Sequence, residues 1–392
     1  MKPAARQDRP RLLHVVGSSK FGGDSVLVIE LARAARERGF DVDILATDPR
    51  FQELIRQQHL GLVDLDVIRR EIRPLWDLRG LARLSDYLAA APYTIVHTHT
   101  SKPGVVGRLA ARHNHVPAIV HTVHLFGFHE ESATVPSAVF AGIERRAARW
   151  CDRIVTVSEY HRDWALRMGI GTPEKVVAIP NGVPENRAVT LRNRKVIRDG
   201  LDVALNDFVI VSTGRLAEQK GLEYLIRAMP LVLSAVPNAV VLLAGEGPLI
   251  VPLSRLIEDL GVMSHVRLLG FRADIAELLA AADLVALPSL WEGLSISLLE
   301  AMAAGRPVVT TTIGSNREVT RDGAVACLVP PKEPAALAAA ITALANEPDR
   351  RAALGNAGRA EQQSRYTMDR MLAAYMEQYD ALLDVAHHAR RQ

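Results

Sequence analysis

An α/β protein built from two parallel-sheet domains is the fold class predicted for this chain, and three observations predict it. Short apolar, β-branched runs alternate with longer amphipathic segments along nearly the whole sequence, the pattern of repeated βαβ units. At 392 residues the chain exceeds what one hydrophobic core ordinarily holds, which calls for two domains. The alternation starts afresh after the turn-rich break Pro180-Asn181-Gly182-Val183-Pro184.

In the first domain, residues 1–184, strands are predicted at Leu12–Val16, Val42–Ala46, Ile95–His97, Ala118–His121, Ile154–Val157 and Val176–Ile179. Helical periodicity fills Ser25–Arg38, Leu81–Ala90, Val105–His113 and Val135–Trp150. Residues Glu185–Asp207 are polar with little periodicity, so the boundary is placed near 184. The second domain, 185–366, has strands at Phe208–Ser212, Val240–Ala244, Val266–Leu269, Leu284–Leu287, Val308–Thr311 and Val325–Val329. Helices lie between most of them. The Ala-rich tract Pro334–Ala345 is a helix by propensity. The long helical pattern within 367–392 has no strand after it and is expected to cross back to the first domain.

Composition narrows the class. A net charge of +3 does not argue for nucleic acid. The first half carries about +8 and the second about −5, an asymmetry that suits an anion-facing or membrane-facing side. Cys151 and Cys327 lie in different halves with no metal or redox spacing, as expected in a reducing cytoplasm. The apolar run Leu12–Val16 is too short for a signal-peptide core, and no stretch has the length of a membrane span.

The most informative stretch is Trp291-Glu292-Gly293-Leu294-Ser295-Ile296-Ser297-Leu298-Leu299-Glu300. It follows an apolar strand and opens a helix, Ser297 to Ala304, that ends at Gly305. Free amides and the helix dipole at such a turn hold a phosphate, which leaves the two carboxylates for the hydroxyls of a sugar. Gly214-Arg215-Leu216-Ala217-Glu218-Gln219-Lys220-Gly221 places two cations at the carboxyl end of a strand, the edge where open α/β sheets bind ligands. Arg215 offers a fork and Lys220 a point charge for a diphosphate. Gly245-Glu246-Gly247-Pro248 shapes the same pocket, although Glu246 reads equally well as a solvent-facing turn residue. In the first domain, Gly22 and Gly23 follow the first strand and open the first helix. That spelling serves an ordinary βα turn as well as a ligand contact, and it is not the dinucleotide fingerprint.

Taken with Leu269-Gly270-Phe271 and Glu300-Ala301-Met302-Ala303-Ala304-Gly305-Arg306-Pro307-Val308-Val309, these motifs resemble the family 4, GT-B-fold, retaining glycosyltransferases in order and spacing over about 100 residues. The resemblance implies two Rossmann-like, doubly wound domains facing across a cleft, a nucleotide-sugar donor in the second, and no metal or other cofactor. It implies that Arg215 and Lys220 hold the donor diphosphate, that Glu300 holds the ribose and that Glu292 contacts the sugar. The backbone at Gly293, Leu294, Ser295 and Ile296 then faces the phosphates, Phe271 and Arg272 border the base, and Gly22 and Gly23 touch the phosphates from the acceptor side. Many relatives carry Glu-Gly-Phe-Gly where this chain has Glu292-Gly293-Leu294-Ser295, which bears on the choice of sugar.

Seven of thirteen histidines fall between His97 and His129. Zinc is the alternative weighed, and the lack of a nearby Cys, carboxylate or HExxH pattern tells against it. By the resemblance, His124 in Thr122-Val123-His124 lies beside the donor sugar, and His99 lines the acceptor side. Asp41-Val42-Asp43 and Asp64-Leu65-Asp66 spell a metal-binding DxD, but half-exposed strands explain both.

The activity so implied is transfer of a sugar, with a UDP-sugar donor expected, to a saccharide acceptor in glycan or polysaccharide biosynthesis. Family precedent is same-face attack with retention. Arg215, Lys220 and the helix N-terminus would stabilise the leaving diphosphate, and His124 would position the sugar. An epimerase of the same fold and a catalytically silent partner subunit are the alternatives. Phe126-Gly127-Phe128-His129 with Arg145, Arg146, Arg149 and Trp150 is read either as a basic, aromatic surface for anionic lipid and a lipid-linked acceptor or as a solvated helix face. The expected location is the cytoplasm, at the inner face of the membrane in the first of those readings.

Overall fold

The structure is a computed structural model that describes residues 9–17, 22–68, 73–127, 134–184 and 194–391. It divides into two compact units, Met1–Pro180 with Met371–Gln392, and Asn181–Arg370. The division falls four residues before the boundary read from the turn at 180–184.

The first unit is built on β1 (Arg11–Gly17), β2 (Asp41–Ala46), β3 (Gly61–Val63), β4 (Ile95–His99), β5 (Ala118–Val123), β6 (Arg153–Thr156) and β7 (Val176–Ala178). All pair in parallel, in the order β3-β2-β1-β4-β5-β6-β7. Parallel strands covered on both faces read as unbroken apolar runs, which is why β1, β4 and β5 are buried at almost every position. The core gathers Leu13, Val15, Leu45, Val96, Ile119 and Ile154 with the helices that cross over them.

The second unit repeats the plan with β8 (Phe208–Thr213), β9 (Ala239–Ala244), β10 (Val266–Gly270), β11 (Leu284–Leu287), β12 (Val308–Thr311) and β13 (Cys327–Val329), in the order β10-β9-β8-β11-β12-β13, again all parallel. In each sheet the winding reverses once, between β1 and β4 and between β8 and β11. The carboxyl ends of those strands are the two topological switch points, where this architecture leaves a crevice. The helix Met368–Arg391 closes the first unit: Tyr379 packs on Phe40, and Arg38 pairs with Asp380 at 2.6 Å.

Several expectations need correction. Strand β3 and the helices Pro49–Gln57 and Pro348–Arg365 were not predicted. The stretch read as a polar linker contains the helix Arg194–Gly200. Arg198 anchors it: the buried guanidinium donates to the carbonyls of Ala204, Leu205, Asp207 and Ala281 and pairs with Asp283 at 2.7 Å. The predicted helix Val135–Trp150 is an α-helix Thr134–Ala147 followed by a 3-10 turn Ala148–Trp150. Asp43 accepts from Arg11 and from the Tyr93 hydroxyl, and Asp64 accepts from Gln52. No described helix is long and apolar enough to cross a membrane.

Candidate functional site

In the second unit, four loops meet at the switch point. Leaving β8, Gly214 sits at φ +138° and donates to Ala244 O, while Gly245 donates to Gly270 O and Leu216 to Glu246 O. A side chain on Gly245 would collide with the Gly214 carbonyl, and one on Gly221, at φ +58°, would collide with that of Pro288. These close approaches explain why glycine stands at both places. Leu290 donates to Gln219 O, tying the loop after β11 to the loop after β8.

That stitching brings Lys220 and Glu292 together, 72 residues apart in sequence, as an ion pair of 2.5 Å. Glu292 is 7% exposed, and its carboxylate also accepts from Gln219 (3.0 Å) and Ser289 (2.7 Å). The backbone carbonyl of Glu292 accepts from Ser315. Immediately after it, Ser295 caps the helix Ile296–Ala303, accepting from Leu298 N, and Ser297 donates to Thr213 O at the end of β8. Glu300 lies in that helix, partly buried. Burial pushes its carboxyl up to about 7, against the pull of the Lys220 charge. Arg215 is exposed on the same loop as Lys220. Glu246 is exposed just past β9, and Phe271 is 53% exposed just past β10. Arg272 forks onto Asp274 at 2.8 and 2.5 Å. The arrangement offers a lysine and a helix N-terminus for an anion, beside carboxylates able to accept hydroxyls.

The first unit fills its switch point differently. His14 on β1 is the register partner of His97 on β4, and His99 that of Thr122 on β5, so these side chains share one face of the sheet. His14 Nδ1 lies 3.0 Å from His99 Nε2, and His99 Nδ1 lies 3.1 Å from His124 Nε2. His97 is hydrogen-bonded to the Tyr379 hydroxyl (2.6 Å) and to Thr122 (2.8 Å), and Thr122 to Tyr375 (3.0 Å). Burial pushes His14 down to about 3 and holds His97 and His99 well below the ordinary histidine range. His124 is 8% exposed, and Asp24 Oδ1, in the first turn of the helix Gly23–Glu37, stands 3.7 Å from its Nδ1. Gly22 and Gly23 are exposed at that helix start; residues 18–21 of the same turn lie outside the described residues. Thr100, directly after β4, has φ +61°, a strained setting for a β-branched residue.

His99 does not line a surface, as the sequence suggested. It is fully buried and hydrogen-bonded to His14 and His124. His14 escaped the sequence reading because a single histidine in an apolar strand looks like core filler. The signal was its register against His97. His14, His97 and His99 bring ring nitrogens within 4.8 Å of one another, but both nitrogens of His97 and of His99 are already hydrogen-bonded. Phe126 is not a surface aromatic either: it is 4% exposed and packs edge-on against Trp164. Phe128 and His129 lie outside the described residues.

Comparison with known proteins follows the same division. Residues 21–187 match the family described as glycosyltransferase family 4, and residues 193–361 match that described as glycosyl transferases group 1. An Escherichia coli protein, UDP-Gal:alpha-D-GlcNAc-diphosphoundecaprenol alpha-1,3-galactosyltransferase, is 33% identical over 63% of this chain and 65% of its own length. The D-inositol 3-phosphate glycosyltransferase 1 of Catenulispora acidiphila is 30% identical over 92% of this chain and 91% of its own. Among solved structures, Anabaena HepE in complex with UDP-glucose superposes with a TM-score of 0.81 at 26% identity, covering 95% of this chain and 99% of that one.

Proposed function

The chain belongs to the family 4 glycosyltransferases of GT-B fold, and on that premise we propose that it transfers a sugar from a UDP-sugar to a lipid-linked saccharide, with retention and without a metal. The observation that carries this reading is the Lys220–Glu292 pair beside the capped start of the helix Ile296–Ala303. Lys220, Arg215 and the helix amides bind the diphosphate and stabilise it as it leaves. The family precedent of same-face attack lets a phosphate oxygen take the acceptor proton. Glu300 accepts the ribose hydroxyls. Glu292, held rigid by Ser289 and Gln219, stands beside the reacting carbon, where positive charge develops. By the family resemblance, His124 positions the sugar.

The choice of donor is supported by the relatives named for UDP-galactose and solved with UDP-glucose. A lipid-linked acceptor is supported by the diphosphoundecaprenol relative. Two exposed surfaces of the first unit also favour it. Leu75 (80% exposed) and Leu78 (65%) stand with exposed Arg79 and Arg83 on the helix Pro74–Ala90; Val139 and Ile143 stand with Arg145, Arg146 and Arg149 on and just after the helix Thr134–Ala147. Apolar residues edged by arginine suit the surface of an anionic membrane, with the protein at its cytoplasmic face.

The test is a panel of UDP-sugars screened for protection against thermal unfolding, followed by transfer from the protective donor to a diphospholipid-linked sugar in EDTA. The anomeric configuration of the product reports retention. No protection by any UDP-sugar, an inverted product, or activity lost in EDTA and restored by Mg²⁺ or Mn²⁺ each overturns the corresponding part.

A further inference from the structure

His14, His99 and His124 form a buried chain of two ring-to-ring hydrogen bonds that ends beside the carboxylate of Asp24. Each neutral imidazole carries one N–H and one lone pair, so His99, engaged at both nitrogens, must donate at one and accept at the other. Burial keeps His14 and His99 neutral. The chain therefore runs in one of two senses. In the first, His14 Nδ1–H donates to His99, His99 Nδ1–H donates to His124 Nε2, and His124 keeps its proton on Nδ1, facing Asp24. In the second, every proton moves to Nε2: His124 turns a lone pair toward the Asp24 carboxylate, and His14 carries an N–H at Nε2.

The structure distinguishes them. His14 Nε2 is buried without a hydrogen-bond partner, so the second sense leaves an orphaned buried donor there, whereas the first leaves only an unused lone pair. At the other end, Nδ1 of His124 has no hydrogen-bond partner and stands 3.7 Å from a carboxylate oxygen, which attracts an N–H and repels a lone pair. We propose that Asp24 and His14 are positioning residues that set the sense of this chain, so that all three rings are held in the Nδ1–H tautomer and His124 acts as a hydrogen-bond donor with its Nε2 lone pair already taken by His99. The consequence for catalysis rests on the reading above that places His124 beside the donor sugar. Within it, His124 grips an oxygen of the sugar and is barred from serving as a base through Nε2.

Asp24 carries the test because its side chain is 55% exposed and its replacement leaves the core intact. Without the carboxylate, each sense leaves one buried N–H orphaned, at His124 or at His14, and the bias disappears. Two-bond proton–nitrogen NMR of histidine-labelled protein at pH 8 reads each tautomer directly. Wild type and Asp24→Glu are expected to show His14, His99 and His124 all as Nδ1–H, the form less populated by a free histidine side chain. Asp24→Ala is expected to show a mixture, with kcat for UDP release from UDP-glucose or UDP-galactose lowered about tenfold, KM changed less, and both restored in Asp24→Glu. An Nε2–H His124 in wild type, or an unchanged spectrum in Asp24→Ala, overturns the proposal. A shifted tautomer with unchanged kcat upholds the chain and removes His124 from the donor site.

Discussion

The two units wind their sheets the same way and then furnish the switch point in opposite fashion. At the ends of β8 and β11, the second unit places fixed ions, Lys220 against Glu292. Along β1 and β4, up to the end of β4 at His99, the first unit places neutral rings, His14, His97 and His99, in a layer without charge. The backbone supplies the crevice in both cases, and the side chains decide what it recognises. An ionic site suits a diphosphate. A neutral, directional site suits hydroxyls, because uncharged donors and acceptors discriminate by geometry.

The contrast is broken most severely by acid. His14, His97, His99, His121 and His161 all have folded values below the ordinary 6.5, through burial. Their contribution to stability is complete above about pH 6.5 and is lost as the pH falls from there toward the folded values, up to about 2 kcal/mol per ring at pH 5. The second unit holds a single histidine, His265. Hydrogen exchange, corrected for intrinsic rates, should show the first unit losing protection between pH 7 and 5 while the second keeps it. Equal loss in both units would show that the histidine layer is not what separates them.

On the ionic side, Lys220→Ala removes the cation proposed to hold the diphosphate and leaves Glu292 without its ion pair. We expect kcat/KM to fall about a hundredfold or more. Near-normal turnover would remove Lys220 from the site.

Glu292→Gln is subtler. The amide keeps an oxygen for Ser289 but loses the charge proposed to face the reacting carbon. At saturating donor, kcat should fall about tenfold with KM within about twofold, since an interaction made chiefly in the transition state is lost. If the melting temperature drops while both constants hold, Glu292 is a structural brace only.

Glu300 gives the smallest effect and the most informative sign. With its carboxyl near 7, it is ionised above that pH, so the donor KM should rise as pH falls through 7, by at most about tenfold per unit, and Glu300→Gln should flatten that slope. A raised folded value also means that its stabilising contribution is present below about pH 4.5 and lost as pH rises through 7. Glu300→Gln should therefore melt higher than wild type at pH 8. A lower melting point would show that the ionised carboxylate is well solvated.

The same contrast explains what could be seen in the sequence. Strands buried on both faces announce themselves, and β11 and β12 match the apolar runs end to end. Strand β3 did not: it is three residues long, at the sheet edge, and only Val63 of it is buried. The helix Pro49–Gln57 buries only Phe51 and Ile55, too few to show a period, although Asp48-Pro49 was a legible cap. In the ionic site, Lys220 and Glu292 were both legible as candidates from local motifs. Their pairing was not, because only the fold closes 72 residues of chain. The neutral site was the less legible of the two. Its meaning lies in the register of β1, β4 and β5, and a histidine carries no local sign of which neighbour it will face.

The tyrosines that complete the histidine layer have a consequence for the order of synthesis. Tyr375 and Tyr379 belong to the first unit, yet they leave the ribosome only after all of Asn181–Arg370. At roughly 5–20 residues per second, the first sheet waits on the order of 10–40 s with His97 and Thr122 unpartnered by tyrosine. The second unit can thus be finished before the first is sealed. A chain stopped at Arg370 should hold the second unit protected from protease and leave the first open to cleavage.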